Sequence, residues 1–333
     1  MKKNLFCAKH TRPALLLVII LMVMVMTGGC GGAKEPAAKS PTTPVAATVA
    51  NVASAWVVNS DLMDSAVYRI DVATNKQIAK IPFEGAPGGI AVSREDVWVT
   101  DFANDKLVRI NPASHKTIAS MKVGQGPKAV AIGAGAVWVG SSTEGTVSRV
   151  DMASNSVTAT IKVTNTAINA LCFADNAVWV TTVDFGLSKI DPATNKATAR
   201  VNVETIPRGV VAGSGAIWVA APMANQIIKV DAAALKISAN ITAGNAIGVA
   251  LAREWVAVAN YKEGTVALIK AADNSAAGEV AVGKNLQSIA YGRGSLWVTS
   301  YDDNALYRID PAAKSITATI SVKRAGAVAI SPE

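Results

Sequence analysis

Short apolar runs, each carrying one tryptophan and bounded by polar turn residues, return down this chain at a nearly fixed interval. They read Ala55-Trp56-Val57, Val97-Trp98-Val99, Val137-Trp138-Val139, Val178-Trp179-Val180, Ile217-Trp218-Val219, Glu254-Trp255-Val256 and Leu296-Trp297-Val298, with steps of 42, 40, 41, 39, 37 and 42 residues. A second landmark keeps the same period: Ile70-Asp71, Ile110-Asn111, Val150-Asp151, Ile190-Asp191, Val230-Asp231, Ile269-Lys270 and Ile309-Asp310. Self-similarity at about 40 residues, carried by short strands, marks the blades of a propeller.

One unit shows how a blade arises. Between Pro87 and Lys122, Gly88-Gly89-Ile90-Ala91-Val92 is a short apolar strand and Val97-Trp98-Val99-Thr100 a second. Lys106-Leu107-Val108-Arg109-Ile110 alternates polar and apolar, the period-two mark of a third strand. Asn111-Pro112-Ala113-Ser114 then makes a turn, because Asn or Asp opens a type I turn and Pro fits its next position. Thr117–Val123 is the fourth strand. The turn wording recurs in Asp191-Pro192-Ala193-Thr194 and Asp310-Pro311-Ala312-Ala313. In the sixth unit the first hairpin reads two residues short before Trp255 and Lys270 replaces the turn acid, so an irregular blade is expected there.

The closure of the ring is also readable. The tail Ala327-Val328-Ala329-Ile330 matches an inner strand and then stops, whereas Trp56 arrives with no convincing inner strand before it. The expectation is an all-β, seven-bladed propeller of four-stranded antiparallel blades. Residues 327–330 complete the first blade and remove the open edges that would invite aggregation. A strand from Ala46 to Val52 is the competing filler.

Val97-Trp98-Val99-Thr100 through Ile110-Asn111-Pro112-Ala113-Ser114, followed by Val123-Gly124-Gln125-Gly126-Pro127, resembles the YVTN repeat, with Trp in place of its Tyr. The resemblance covers residues 51–333. It implies kinship with seven-bladed propellers that include virginiamycin B (streptogramin) lyase and surface-layer proteins. It is specific for fold and poor for function, since one fold hosts many activities.

Composition adds an address. Half of the residues are hydrophobic and the formal net charge is +8, but Lys2, Lys3, Lys9 and Arg12 supply half of that excess before the first apolar run. The rest is spread over the repeats without a basic stripe, which argues against nucleic acid as a partner. Ala14–Met26 is an unbroken apolar run behind that basic start, a signal-peptide core rather than a comfortable membrane span. Thr27-Gly28-Gly29-Cys30 resembles the bacterial lipobox, although Thr27 stands where Leu is usual. The resemblance implies removal of residues 1–29 and lipidation of Cys30. An ordinary signal peptide cleaved nearby is the alternative. Residues 30–50, rich in Pro, Ala and Thr, read as a flexible tether, and 51–333 as the propeller. The expected location is the outer side of the cell membrane. Cys172 is the remaining mature cysteine besides Cys30, so a monomer has no structural disulfide between core cysteines.

Chemistry is sparse. A stacking cage is one reading of the tryptophans, but their shared register favours blade-to-blade packing. Calcium is one reading of Asp71, Asp151, Asp191, Asp231 and Asp310; turn formation explains them better. His115, in a turn between outer strands, is the single histidine after the signal segment. The lyases of the resembling group use a histidine acid and magnesium near acidic residues. No histidine here sits at the channel mouth, so that activity is not carried over. No catalytic residue, metal or cofactor is expected.

What varies from blade to blade is the loop face. Asp101, Phe102, Asp105, Asp184, Phe185, Tyr261, Glu263, Tyr301, Asp302 and Asp303 fall in loops joining second to third strands; Arg208 and Lys284, with Lys128, Lys323 and Arg324, fall between blades. Variation on a rigid frame is how loops acquire specificity. The ten loop residues with Arg208 and Lys284 are the candidate ligand-binding set, against the alternative of a solvated surface. The function expected is a non-catalytic binding or scaffold lipoprotein, monomeric, for an envelope or extracellular protein, peptide or glycan. The alternatives are a lyase-like enzyme using loop carboxylates with a divalent metal, and a module with packing duties alone.

Overall fold

The computed structural model describes residues 52–61 and 63–332. The signal segment, Cys30 and the tether lie outside the described residues.

Seven four-stranded antiparallel sheets follow one another, numbered here as blades one to seven in the order of their tryptophan phrases. Blade two is typical, with inner strand Pro87–Val92, second strand Val97–Asp101, third strand Lys106–Asn111 and outer strand Lys116–Lys122. In blade one the inner strand is Ala325–Ile330, paired antiparallel to Ser54–Asn59 through Trp56↔Ala329 and Val57↔Val328. The tail therefore closes the ring, two residues longer than its pattern indicates, and the alternative strand at 46–52 is not needed. Arg208 and the other blade-five residues follow the same plan, with inner strand Val210–Gly213.

The second strands explain the apolar runs. Ser54–Asn59, Ala136–Ser141 and Ser295–Ser300 are buried along their whole length, because each sheet is covered on both faces by its neighbours. Alternate side chains go to opposite seams. Trp56 and Val58 pack with Ile90, Val97 and Val99 of blade two, whereas Ala55 and Val57 pack with Trp297 and Leu306 of blade seven. Outer strands such as Lys196–Asn202 are exposed at most positions, so their patterning is polar. In blades three, four, five and seven, two-residue turns with positive φ at both positions join the inner to the second strand, as at Asp175-Asn176 (50° and 52°) and Arg293-Gly294 (55° and 74°). That mirror-image turn matches the twist of the strands it joins.

Blade six corrects the sequence reading. It is a complete sheet, with strands Ala246–Ala252, Trp255–Asn260, Thr265–Lys270 and Ala276–Ala281. Its first hairpin is not short; the tryptophan has moved. The turn Arg253-Glu254 pairs Ala252 with Trp255, and this puts Trp255 opposite Lys270 and Ala257 opposite Leu268. In blade seven the corresponding pair is Trp297 with Arg308, reached from Gly292↔Ser295. Ala257 thus occupies the tryptophan position of blade six, and the shared register holds for six tryptophans rather than seven. Those six are 2 % exposed or less, which settles their role as seam packing.

The turn acids are also explained locally. Asp71 accepts from the Ala73 backbone N–H (2.8 Å) and the Thr74 hydroxyl (2.7 Å), with Asn75 at φ 56°. Asp151, Asp191, Asp231 and Asp310 accept equivalent backbone bonds. In blade six, Asp273 takes over this duty by accepting from Ser275 N–H (2.9 Å). Among the described residues no group of three or more His, Cys, Asp and Glu side chains could hold a metal ion.

Candidate functional site: the channel mouth

The inner strands surround an axial cavity of about 650 Å³ that opens on the face carrying the second-to-third-strand loops. Seven equivalent positions, one per blade, stand at this mouth: Gly326, Gly88, Lys128, Asn169, Arg208, Ile247 and Gln287, all lining the cavity. Five of them lie ten residues before their blade's tryptophan. Ile247 lies ten before Ala257, as the shifted register of blade six requires. Lys128, Asn169 and Arg208 are contributed by three consecutive blades. Blades one and two present glycine instead; a β-carbon at Gly326 would come within 2.6 Å of Ser60 Oγ. Among the described residues no aspartate or glutamate lines the cavity. Phe102 is 41 % exposed at its rim, with the Lys128 ammonium 5.1 Å from its ring centroid. Among the described residues neither the Arg208 guanidinium nor the Lys128 ammonium has an acidic partner.

The rim carboxylates are differently placed. Asp101 is buried and accepts from the Ala86 N–H (3.1 Å) and Asn104 Nδ2 (2.7 Å), tying its hairpin to the incoming inter-blade segment. Asp105 accepts from Gly126 N–H (2.9 Å), the same tie one blade further on. Glu263 accepts from Asn245 N–H (3.1 Å) and Asp302 from Asn285 Nδ2 (3.1 Å). Asp303 accepts from Lys284 N–H (2.8 Å), Ser300 Oγ (2.9 Å) and Tyr307 Oη (3.2 Å). Burial opposes the ionised form of Asp303, and these donors outweigh it and lower its pKa. Asp184 is opposed by burial and held well below the usual carboxylate range by bonds from Thr182, Thr164 and Arg200; the Arg200 ion pair is 3.1 Å.

Tyr301 Oη accepts from Arg324 Nη1 (2.8 Å), with that guanidinium 5.5 Å from the ring. Phe185 is 45 % exposed at φ 66° on the loop above blade four. Lys284 is exposed, and its backbone rather than its ammonium is engaged by Asp303. The structure therefore gathers Phe102 and Arg208 of the candidate set at the cavity and distributes the others around the rim. His115 lies on the opposite face, 3.2 Å from Arg69 Nη1. Cys172 is half-buried in the inner strand Ile168–Ala174, its thiol pushed up to about 12 by burial, which suits packing rather than nucleophilic duty.

Blade five supplies a second feature. Its second strand ends in Ala221, where other blades carry a polar cap such as Asn59, Asp101, Ser141 or Ser300. Without that cap, Pro222–Ala224 forms a single 3₁₀ turn, with Asn245 Nδ2 donating to the Pro222 carbonyl (3.0 Å). Met223 is left 73 % exposed. Beneath it lies a mainly apolar side pocket of about 360 Å³, lined by Ile206, Pro222, Met223 and Tyr261, and sharing Arg208 and Ile247 with the channel. Tyr261 of the candidate set thus finds its place here.

Comparison with known proteins shows the fold. No protein-family model matches the chain, and no curated protein matches it. Among solved structures, a functionally unknown protein from Desulfotomaculum acetoxidans aligns with TM-score 0.72 at 11 % identity, covering 84 % of this chain and 99 % of that one. The computationally designed Ika8 protein aligns with TM-score 0.65 at 12 % identity, over 83 % and 91 % of the two chains. Hydrazine synthase of Kuenenia stuttgartiensis aligns with TM-score 0.63 at 14 % identity, over 78 % and 90 %. Likeness this distant is a likeness of fold, and the class it defines is the seven-bladed β-propeller.

Proposed function

We propose that this propeller is a non-catalytic binding protein of the cell envelope, akin to the YVTN-repeat group, which captures its ligand at the loop-side mouth of the channel. The observation that supports this most is the ring of seven equivalent positions, where glycine, lysine, asparagine, arginine, isoleucine and glutamine replace one another on otherwise uniform strands. A frame under packing demands alone repeats its residues, as the six seam tryptophans do; variation confined to the mouth is the pattern of a specificity surface. The carboxylates that a lyase-like reading requires are occupied with loop geometry, so binding is favoured over turnover. The basic start, apolar run and Gly29-Cys30 junction support export and lipid anchoring at the outer face of the membrane.

The test is capture from envelope extracts, comparing wild type with a Phe102→Ala, Arg208→Ala, Tyr261→Ala variant. Loss of capture at unchanged melting temperature is the expected result. Equal capture by the variant would remove the mouth from the function.

A further inference from the structure

Lys128, Asn169 and Arg208 form an arc over three consecutive blades at a mouth whose described lining holds no acid, and Arg208 also borders the apolar side pocket of blade five. We infer that the site takes an organic carboxylate with an apolar body, its carboxylate on Arg208 and its apolar part beneath Met223 and beside Tyr261. The inference rests on the binding role proposed above and adds the chemistry of the ligand.

Three features of the mouth point this way. The first is charge. Two cations without acidic partners among the described residues face one cavity whose described lining holds no carboxylate, so an anion inside it meets attraction that the rim acids Asp105 and Glu263, engaged with backbone N–H groups, only partly offset. Arginine is suited to this task because its planar fork matches a carboxylate through two parallel hydrogen bonds. The second is shape. Cavities of about 300–1,000 Å³ suit small ligands or the end of a peptide, and both volumes here fall in that range. Glycine at the mouth positions of blades one and two leaves the ring without a side chain at those two positions, next to the arc.

The third is the coupling of the two compartments. Arg208 and Ile247 belong to both, so a ligand with adjoining charged and apolar parts satisfies both, whereas inorganic phosphate would leave the side pocket empty. Arg208 is held from behind. Its backbone N–H donates to the Ala220 carbonyl (2.8 Å), and its carbonyl accepts from Thr181 Oγ1 (2.8 Å) of the preceding blade. Its guanidinium is therefore carried by a fixed backbone.

The chemistry has two sources, a free small acid or the C-terminus of a peptide. Calorimetry on the full chain with 3-phenylpropionate and a short peptide ending in free phenylalanine, each against its amide, separates them. Binding of phenylpropionate with an amide at least tenfold weaker points to a small acid; the same contrast for the peptide alone points to a C-terminus. In either case Arg208→Gln should weaken the acid by about tenfold at unchanged melting temperature, with Arg208→Lys in between. Equal affinity of acid and amide, no binding of any acid at millimolar concentration, or an Arg208→Gln variant that binds normally would each overturn the inference. The binding role itself would survive any of these results if the triple variant still lost capture from extracts.

Discussion

Arg308 of the last blade donates from Nη1 to the Asn75 side chain of the first, 3.0 Å away across most of the sequence, and to the Val72 carbonyl at 2.7 Å. Its guanidinium lies 5.1 Å from the centroid of Trp297. The same latch runs between blades two and three from Arg109 to Asn155 (2.9 Å) and between three and four from Arg149 to Asn195 (2.9 Å). Lys229 uses it towards Asn274 (3.1 Å) while lying over Trp218. In each case a cation flattened on its own blade's tryptophan reaches the turn of the next blade. The Arg308 latch differs from the rest because it ties the last blade to the N-terminal strands of blade one, which otherwise join the tail through the pairing of Ser54–Asn59 with Ala325–Ile330. Arg308→Ala should therefore lower stability by about 2 kcal/mol, the scale of a lost charge-assisted hydrogen bond with its cation–π contact. Asn75→Ala should cost about 1 kcal/mol, and the double variant less than the sum. Urea unfolding of the four proteins checks this, and strict additivity would contradict the latch.

Blade two receives its latch through a histidine. His115 stands where the turns of blades one, three, four and six carry Asn, at φ 57°, and Arg69 Nη1 approaches its Nε2 at 3.2 Å. A guanidinium has protons only to donate, so the contact requires a deprotonated Nε2. Burial lowers the His115 pKa below 6.5, and the Arg69 charge lowers it further. The unfolded chain then binds the proton more readily than the folded one, so this stability is complete above about pH 6.5 and declines as pH falls through that value towards the folded pKa. Melting temperatures of wild type should fall more steeply between pH 7 and pH 5 than those of His115→Asn, which restores the side chain used by the neighbouring turns. Identical slopes would dismiss His115 as the titrating group.

What could be read from the sequence follows from what is local. Strand alternation, the Asp-Pro turns and the matching tail Ala327–Ile330 depend on near neighbours, and the seven sheets with their closure emerged from them. The fate of Asp101 did not, because its partner is the Ala86 N–H of the segment arriving from the previous blade. An acid capping a backbone group and an acid waiting for a ligand look alike in one dimension. Trp255 misled for a related reason: counting tryptophans assumes each fills the same slot, whereas the Arg253-Glu254 turn fixes the register and puts Ala257 there. Asn169 and Gln287 carry a signal in the sequence that does not read as a motif. A fixed offset of ten residues before the tryptophan marks the mouth position, but that position varies so freely that it does not stand out as a motif.

The division of labour between neighbours Asp101 and Phe102 gives a direct check. Asp101→Ala removes a buried charged acceptor from the half-buried Ala86 N–H and the exposed Asn104 and should cost about 2 kcal/mol. Phe102→Ala removes a side chain that is 41 % exposed and should change stability by no more than about 0.5 kcal/mol. Capture of the ligand should respond in the opposite order once both proteins are folded. Denaturant titration combined with the capture assay reads both axes, and a stable Asp101→Ala protein that had lost its ligand would return that carboxylate to the binding set.

Blade six offers the sharpest test of the latch because it has lost both halves together. Ala257 and Leu268 replace the tryptophan and the cation, Leu268 is 1 % exposed, and the receiving turn of blade seven carries Lys314 at φ 54° where Asn75 stands in blade one. This seam is joined by apolar packing, with Leu268 among Ala257, Ile289 and Leu296. Leu268→Arg alone should bury a charge that faces Lys314 and has no aromatic plate to lie on, costing about 3 kcal/mol or more. Adding Lys314→Asn should recover part of that loss by removing a like charge and supplying the Asn acceptor found at four of the other seams. Ala257→Trp should help only in the presence of both, since alone it overfills a packed seam at about 1–3 kcal/mol. Unfolding free energies across this series would support the latch if the triple variant is more stable than Leu268→Arg, and would refute it if each substitution simply adds its own penalty.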